Sequence, residues 1–137
     1  MFLLDTHVIS ELRRRTPHGA VITWLRAVPD SALYLSAMTL GELQAGIEIT
    51  RDRDATKAAE IEAWLDQVVE VYNVLPVDAR VFRSWAVLMH RRSNDLMADA
   101  MIAATAQVHN LTVVTRNRRD FERLGVAVVN PFVDPAT

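Results

Sequence analysis

Phe2-Leu3-Leu4-Asp5-Thr6-His7-Val8-Ile9-Ser10 decides how the rest of the chain is read. Three apolar residues in succession are too short for a helix core. They suit a strand buried on both faces, where alternation of polar and apolar residues disappears. The strand then stops on an acid, and Val8-Ile9 opens a helical pattern reaching about Arg14. A carboxylate therefore sits between a buried strand and a helix. Asp5 either caps that helix or presents its charge at the edge of a sheet.

Working outward, the same rhythm repeats. Leu33-Tyr34-Leu35, the run Val71–Leu75, Leu111-Thr112-Val113-Val114 and Val126-Ala127-Val128-Val129 read as further short strands. Helical patterns lie between them, at Val8–Arg14, His18–Ala27, Thr39–Thr50, Ala55–Val69, Ala79–Arg92, Ala98–His109 and Arg119–Leu124. Pro17 suits a helix start, Asp78 suits a cap before Ala79, and Gly125 suits a helix stop. Strands alternating with helices predict an α/β fold of three layers, α/β/α, around a short and mostly parallel sheet of four to five strands. Ligand sites of such sheets lie outside the carboxyl ends of the strands. The residues that matter are thus those just after each strand: Asp5, the segment Ser36–Glu42, and Thr115-Arg116-Asn117.

With 137 residues, the chain is the size of one domain, 1–137, without repeats or linkers. A domain of this size buries roughly two-thirds of its unfolded surface and needs no staple. There is no Cys, which excludes disulfides, thiolate zinc sites and cysteine nucleophiles. No apolar run approaches the roughly 18 residues of a membrane helix. Met1-Phe2-Leu3-Leu4-Asp5 has no basic segment and carries an acid inside its apolar run, so no signal peptide is expected and the cytoplasm is the default compartment. The net charge of −2 decides nothing about nucleic acid. The cations are more telling: all but Lys57 are Arg, and they gather at Arg13-Arg14-Arg15, at Arg51 and Arg53, at Arg91-Arg92 and in Arg116-Asn117-Arg118-Arg119. Guanidinium matches phosphate geometry in a way ammonium does not.

Three acids from distant segments fall on one sheet edge. Glu42 stands in Thr39-Leu40-Gly41-Glu42, whose spacing also fits a capping box. Asp99 is the one acid in Ala98-Asp99-Ala100-Met101-Ile102-Ala103-Ala104, an otherwise small and apolar helix. Asp95, one turn earlier, reads as a cap or a solvated acid. Asp5, Glu42 and Asp99 gathered together would repel, and some would protonate unless a cation compensated. Oxygen donors without His or Cys argue for a hard ion, Mg²⁺ or Mn²⁺, and against zinc. His7 and His18 could lie at the rim of such a site, though a lone His more often serves the surface or packing.

These residues also carry a resemblance. The segments Leu3–Ser10, Leu35–Leu43, Ala98–Ala106 and Thr115-Arg116-Asn117-Arg118-Arg119-Asp120-Phe121 follow the pattern of PIN-domain ribonucleases. More narrowly, the chain resembles the VapC-type toxins of bacterial toxin–antitoxin pairs and their FitB-like branch, as does the tail Gly125–Phe132. The resemblance implies a PIN-like fold and a Mg²⁺- or Mn²⁺-dependent endoribonuclease that hydrolyses RNA until a cognate antitoxin binds. It assigns Asp5, Glu42 and Asp99 to the acidic metal positions. The family's fourth acid falls on Asn117 here, which is neutral, with Asp120 three residues on. His7 departs from the Asn common at its position. A homodimer is expected, with DNA reached only through the antitoxin. The Arg clusters would follow the RNA backbone, and unpaired bases would supply any sequence preference. The faces of Thr39–Thr50 and Ala55–Val69, with Ile61, Trp64 and Leu65, could seat an antitoxin helix, although packing suits most of those side chains.

Two other enzyme classes start from an Asp after the first strand. A haloacid-dehalogenase-type phosphatase needs an acid where His7 stands, and a receiver domain needs a late Lys where none occurs. The remaining alternative is not an enzyme: a weakly active or inactive partner subunit of a DNA-binding antitoxin–toxin complex.

Overall fold

The structure, a computed structural model, describes residues 1–135. Five strands form one sheet: β1 (Phe2–Leu4), β2 (Leu33–Ser36), β3 (Asn73–Leu75), β4 (Thr112–Val114) and β5 (Val128–Val129). Seven α-helices accompany them among the described residues: α1 (Thr6–Glu11), α2 (Gly19–Ala27), α3 (Ala37–Arg51), α4 (Ala55–Val71), α5 (Ala79–Met89), α6 (Met97–His109) and α7 (Arg118–Arg123). The strand order is β3-β2-β1-β4-β5, and every pairing is parallel. None of these helices is long and apolar enough to cross a membrane.

Period-two alternation sorts the strand side chains into two cores. Leu4, Leu33, Leu35 and Val114 point to one face, where they meet Val8, Ile9, Val21, Trp24 and Val68. Leu3 and Val113 point to the other, against Ala100, Ile102, Ala103, Ala106 and Phe121. Both faces are covered, which is why the strands read as unbroken apolar runs. The alanines of α6 let its backbone lie close to the sheet. Its one buried hydroxyl, Thr105, donates back to the Met101 carbonyl at 2.8 Å.

Several local expectations shift. Helix α3 starts at Ala37, two residues before the expected Thr39, because Ser36 caps it by accepting from the Met38 N–H at 3.1 Å. Thr39 and Glu42 are consequently no capping box. Asp5 stands at the N-cap of α1 without capping it through its side chain. Helix α4 runs on to Val71 and shortens β3 to three residues. Asp78 does cap α5, accepting from Val81 N–H at 3.0 Å, and Gly125 follows α7 with φ +78°, a conformation that favours glycine.

The order of the strands places the site. The chain lays β1, β2 and β3 outward in one direction, then returns to add β4 and β5 on the other side of β1. The topological switch point is therefore the gap between the carboxyl ends of β1 and β4, where crossovers diverge and leave a crevice.

Candidate active site at the sheet switch point

Asp5 leaves β1 and Thr115 leaves β4, so the two face each other across the switch point. Both are buried, Asp5 at 4% exposure and Thr115 fully. The Thr115 hydroxyl donates to Asp5 Oδ2 at 2.8 Å and accepts from the Asn117 N–H at 3.0 Å. Burial pushes the Asp5 carboxyl above its ordinary range, and the Thr115 hydrogen bond opposes part of that rise.

Asn117 continues the chain of contacts. Its Nδ2 donates to Asp120 Oδ2 at 2.9 Å and lies 3.4 Å from Asp99 Oδ2. Asp99, in the first turn of α6, has its pKa pushed up to about 6 by burial first and then by the charges of Asp5, Asp120 and Glu42, with His7 opposing. Glu42 projects from the second turn of α3. Its Oε1 accepts from the Thr6 hydroxyl at 2.8 Å, and the same hydroxyl shares a 3.0 Å hydrogen bond with buried Thr39.

All five expected residues thus stand at one edge of the sheet, in two groups. Asp99, Asn117 and Asp120 are in direct contact, and Thr115 joins Asp5 to the Asn117 backbone. Glu42 is held apart by Thr6 and influences Asp99 through its charge. Among the described residues, no three His, Asp or Glu side chains stand together as a ready-made ligand set. The donor chemistry nonetheless suits a hard divalent ion. All the donors are oxygens, and the ionised form of Asp99 is disfavoured by neighbouring negative charge that such an ion would offset.

Two hydroxyls hold the acids, Thr6 on Glu42 and Thr115 on Asp5, and only Thr115 lies in a segment that the sequence marks. Thr115 had a positional signal, being the first residue after a central strand. Thr6 had none, because its partners lie more than thirty positions away. His7 lines the adjoining cavity, His18 packs edge-on against Phe132 at 4.9 Å between ring centroids, and Asp95 is exposed. Leu65 is buried with Ile47 and Ala58, and Ile61 and Trp64 pack onto that cluster, so they form core between α3 and α4.

The cavity measures about 790 Å³, and its walls include Asp5 and Asn117 together with Arg13, Arg14, Arg116 and Phe132. A strand ending in a buried acid, a second acid in the first turn of a small-residue helix, and an all-oxygen edge thus meet at the switch point, where ligand sites of such sheets lie.

Comparisons with known proteins identify the family. Residues 2–127 match the family model of the PIN domain, and the chain belongs to that family. It is 37% identical to the VapC ribonuclease Y4jK of Sinorhizobium fredii, across 99% of this chain and 100% of that protein. The crystal structure of FitAcB from Neisseria gonorrhoeae superposes with a TM-score of 0.87 at 35% identity, covering 98% of this chain and 100% of the other. A toxin–antitoxin complex from Klebsiella pneumoniae superposes with a TM-score of 0.66 at 26% identity, covering 96% of this chain and 98% of the other.

Proposed function

We propose that this chain is an endoribonuclease toxin of the VapC type, a single PIN domain over 1–137 that hydrolyses RNA phosphodiester bonds and is neutralised by a cognate antitoxin. The observation that carries the reading is the acidic edge at the switch point, where burial first, and then the charges of Asp5, Asp120 and Glu42, make Asp99 hard to ionise. Family membership and the ribonuclease relative support the activity. The toxin–antitoxin neighbour supports the partner. The active form is a cytoplasmic homodimer that meets DNA only through its antitoxin.

Asp5, Glu42 and Asp99 would hold Mg²⁺ or Mn²⁺. When bound, such an ion supplies Lewis acidity toward a phosphate oxygen and lowers the pKa of water at the site. The chain's own groups set the stage. Thr115 and Thr6 fix the rotamers of Asp5 and Glu42, so both carboxylates await the cation in place. Asn117 holds Asp99 and Asp120 on either side of a neutral amide, which spares the site a further charge.

Cleavage of RNA by the purified chain, with and without Mn²⁺, tests this. Activity should require the metal and should fall to background in Asp99→Asn. Asp120→Ala should cost about 10–100-fold, the usual effect of a group that supports a ligand from behind. Equal losses in the two variants would make Asp120 a primary ligand. No metal-dependent cleavage by the wild type would overturn the nuclease reading in favour of a partner subunit without activity.

A further inference from the structure

We propose that the cavity beside the acidic edge is a nucleotide subsite, in which an unpaired nucleotide stacks its base on Arg116 while its phosphate lies against Arg13 and Arg14. This rests on the ribonuclease reading and names the substrate feature that the site selects. The volume of about 790 Å³ lies within the range of small-ligand pockets, and the walls run from Asp5 and Asn117 of the acidic site to the three arginines. A polyanion nearing Asp5, Glu42, Asp99 and Asp120 meets repulsion. Guanidiniums next to that edge give its phosphates an opposite charge.

Arg116 is built as a platform. Its Cζ lies over the Phe132 ring, 3.7 Å from the centroid, and the residue is exposed. Bases stack on guanidinium planes as they do on aromatic rings. The ring below is held in turn. Phe132 N–H donates to Asn130 Oδ1 at 3.0 Å, and Asn130 N–H donates to Asp134 Oδ2 at 2.9 Å. Asp134 also pairs with Arg118. His18 packs its edge on the same ring. Glu11, buried on α1, accepts from His18 N–H at 2.9 Å and from Arg14 Nη1 at 3.1 Å, so one carboxylate sets both the ring's neighbour and a phosphate-facing cation. The turn after β5 thus packs Phe132 against the core with one side of its ring and carries Arg116 on the other.

The test is binding by fluorescence anisotropy in the presence of a chelator, so that no strand is cut. The probes are a short oligouridylate, a sugar–phosphate strand of equal length without bases, and an RNA duplex. The wild type should prefer the oligouridylate to both others. Arg116→Lys keeps the charge and loses the plane. It should weaken oligouridylate binding roughly ten-fold, in line with the stacking of one base, and leave the baseless strand unchanged. Phe132→Leu, which keeps apolar volume against the core, should show the same selectivity. Arg13→Gln should weaken both strands alike and lower the salt slope by about one. Equal losses on both strands in Arg116→Lys, no loss, or duplex binding as tight as single-strand binding would overturn the subsite. Cleavage of total RNA on adding Mn²⁺ is read separately. Cleavage without base-selective losses removes the subsite and leaves the nuclease. Selective losses without cleavage keep the subsite and remove the nuclease.

Discussion

Asp99 is the residue at which the site's electrostatics can be read directly. Its pKa of about 6 follows from burial and from the charges of Asp5, Asp120 and Glu42. An acid that ionises less readily in the fold than in the unfolded chain makes the fold less stable as pH rises. Here the loss begins near the ordinary carboxylate range, about pH 4, and is complete above about pH 6. Without metal, the wild type should therefore melt at a lower temperature at neutral pH than its acids elsewhere would dictate. Asp99→Asn should melt higher than the wild type at neutral pH and show a flatter profile between those limits. Thermal melts in chelator across that pH range check both. A variant that melts lower than the wild type at neutral pH would mean that the ionised Asp99 is already well compensated. Asp5 shifts in the same direction from burial and reinforces the trend.

The elements matter through how their ends are tied. Ser36 caps helix α3, which begins at Ala37, and this turns Thr39 inward and sets Glu42 one turn further along. Thr6, the first residue of α1, then ties α1 to α3 through Thr39 and Glu42. Thr6→Val keeps the shape and removes the hydroxyl. It should cost about 1–2 kcal/mol, because Thr39 is buried and loses its partner. It should also slow RNA cleavage about ten-fold or more, because Glu42 is then free to turn. Thr6→Ser should restore both. Melting and initial rates measured on the pair separate this role from simple packing, which Thr6→Val would leave intact.

At the scale of the molecule, the sheet edge gathers negative charge that a cation should relieve. Millimolar Mn²⁺ should raise the melting temperature of the wild type, by an amount equivalent to about 2.7 kcal/mol at one hundred times the dissociation constant. The shift should be much smaller in Asp5→Asn, and an equal shift in both would mean that the metal binds elsewhere. Ile49 on α3, Val69 and Val71 on α4, and Phe82 and Val87 on α5 are exposed apolar side chains of the kind a second copy would cover. Static light scattering should accordingly give the mass of a homodimer at tens of micromolar protein, and a monomer mass would remove the dimer while leaving the site as it is. What the amino-acid sequence settled by itself was the alternation of strands and helices and the parallel sheet. Runs such as Phe2-Leu3-Leu4 and Leu111–Val114 must be buried on both faces wherever they lie, and local spacing carries that message. It also marked Asp5, because a carboxylate at the end of an apolar strand is conspicuous in one dimension. The tertiary structure alone decided the strand order, and with it the meeting of Asp5 and Thr115 across 110 positions. It alone moved the start of α3, since Ser36 and Thr39 compete for the cap and only packing chooses between them. It alone brought Arg116 onto Phe132 and gave Thr6 its partners. Hydrogen bonds and stacking act over a few ångströms, and only the folded sheet sets which distant residues come that close.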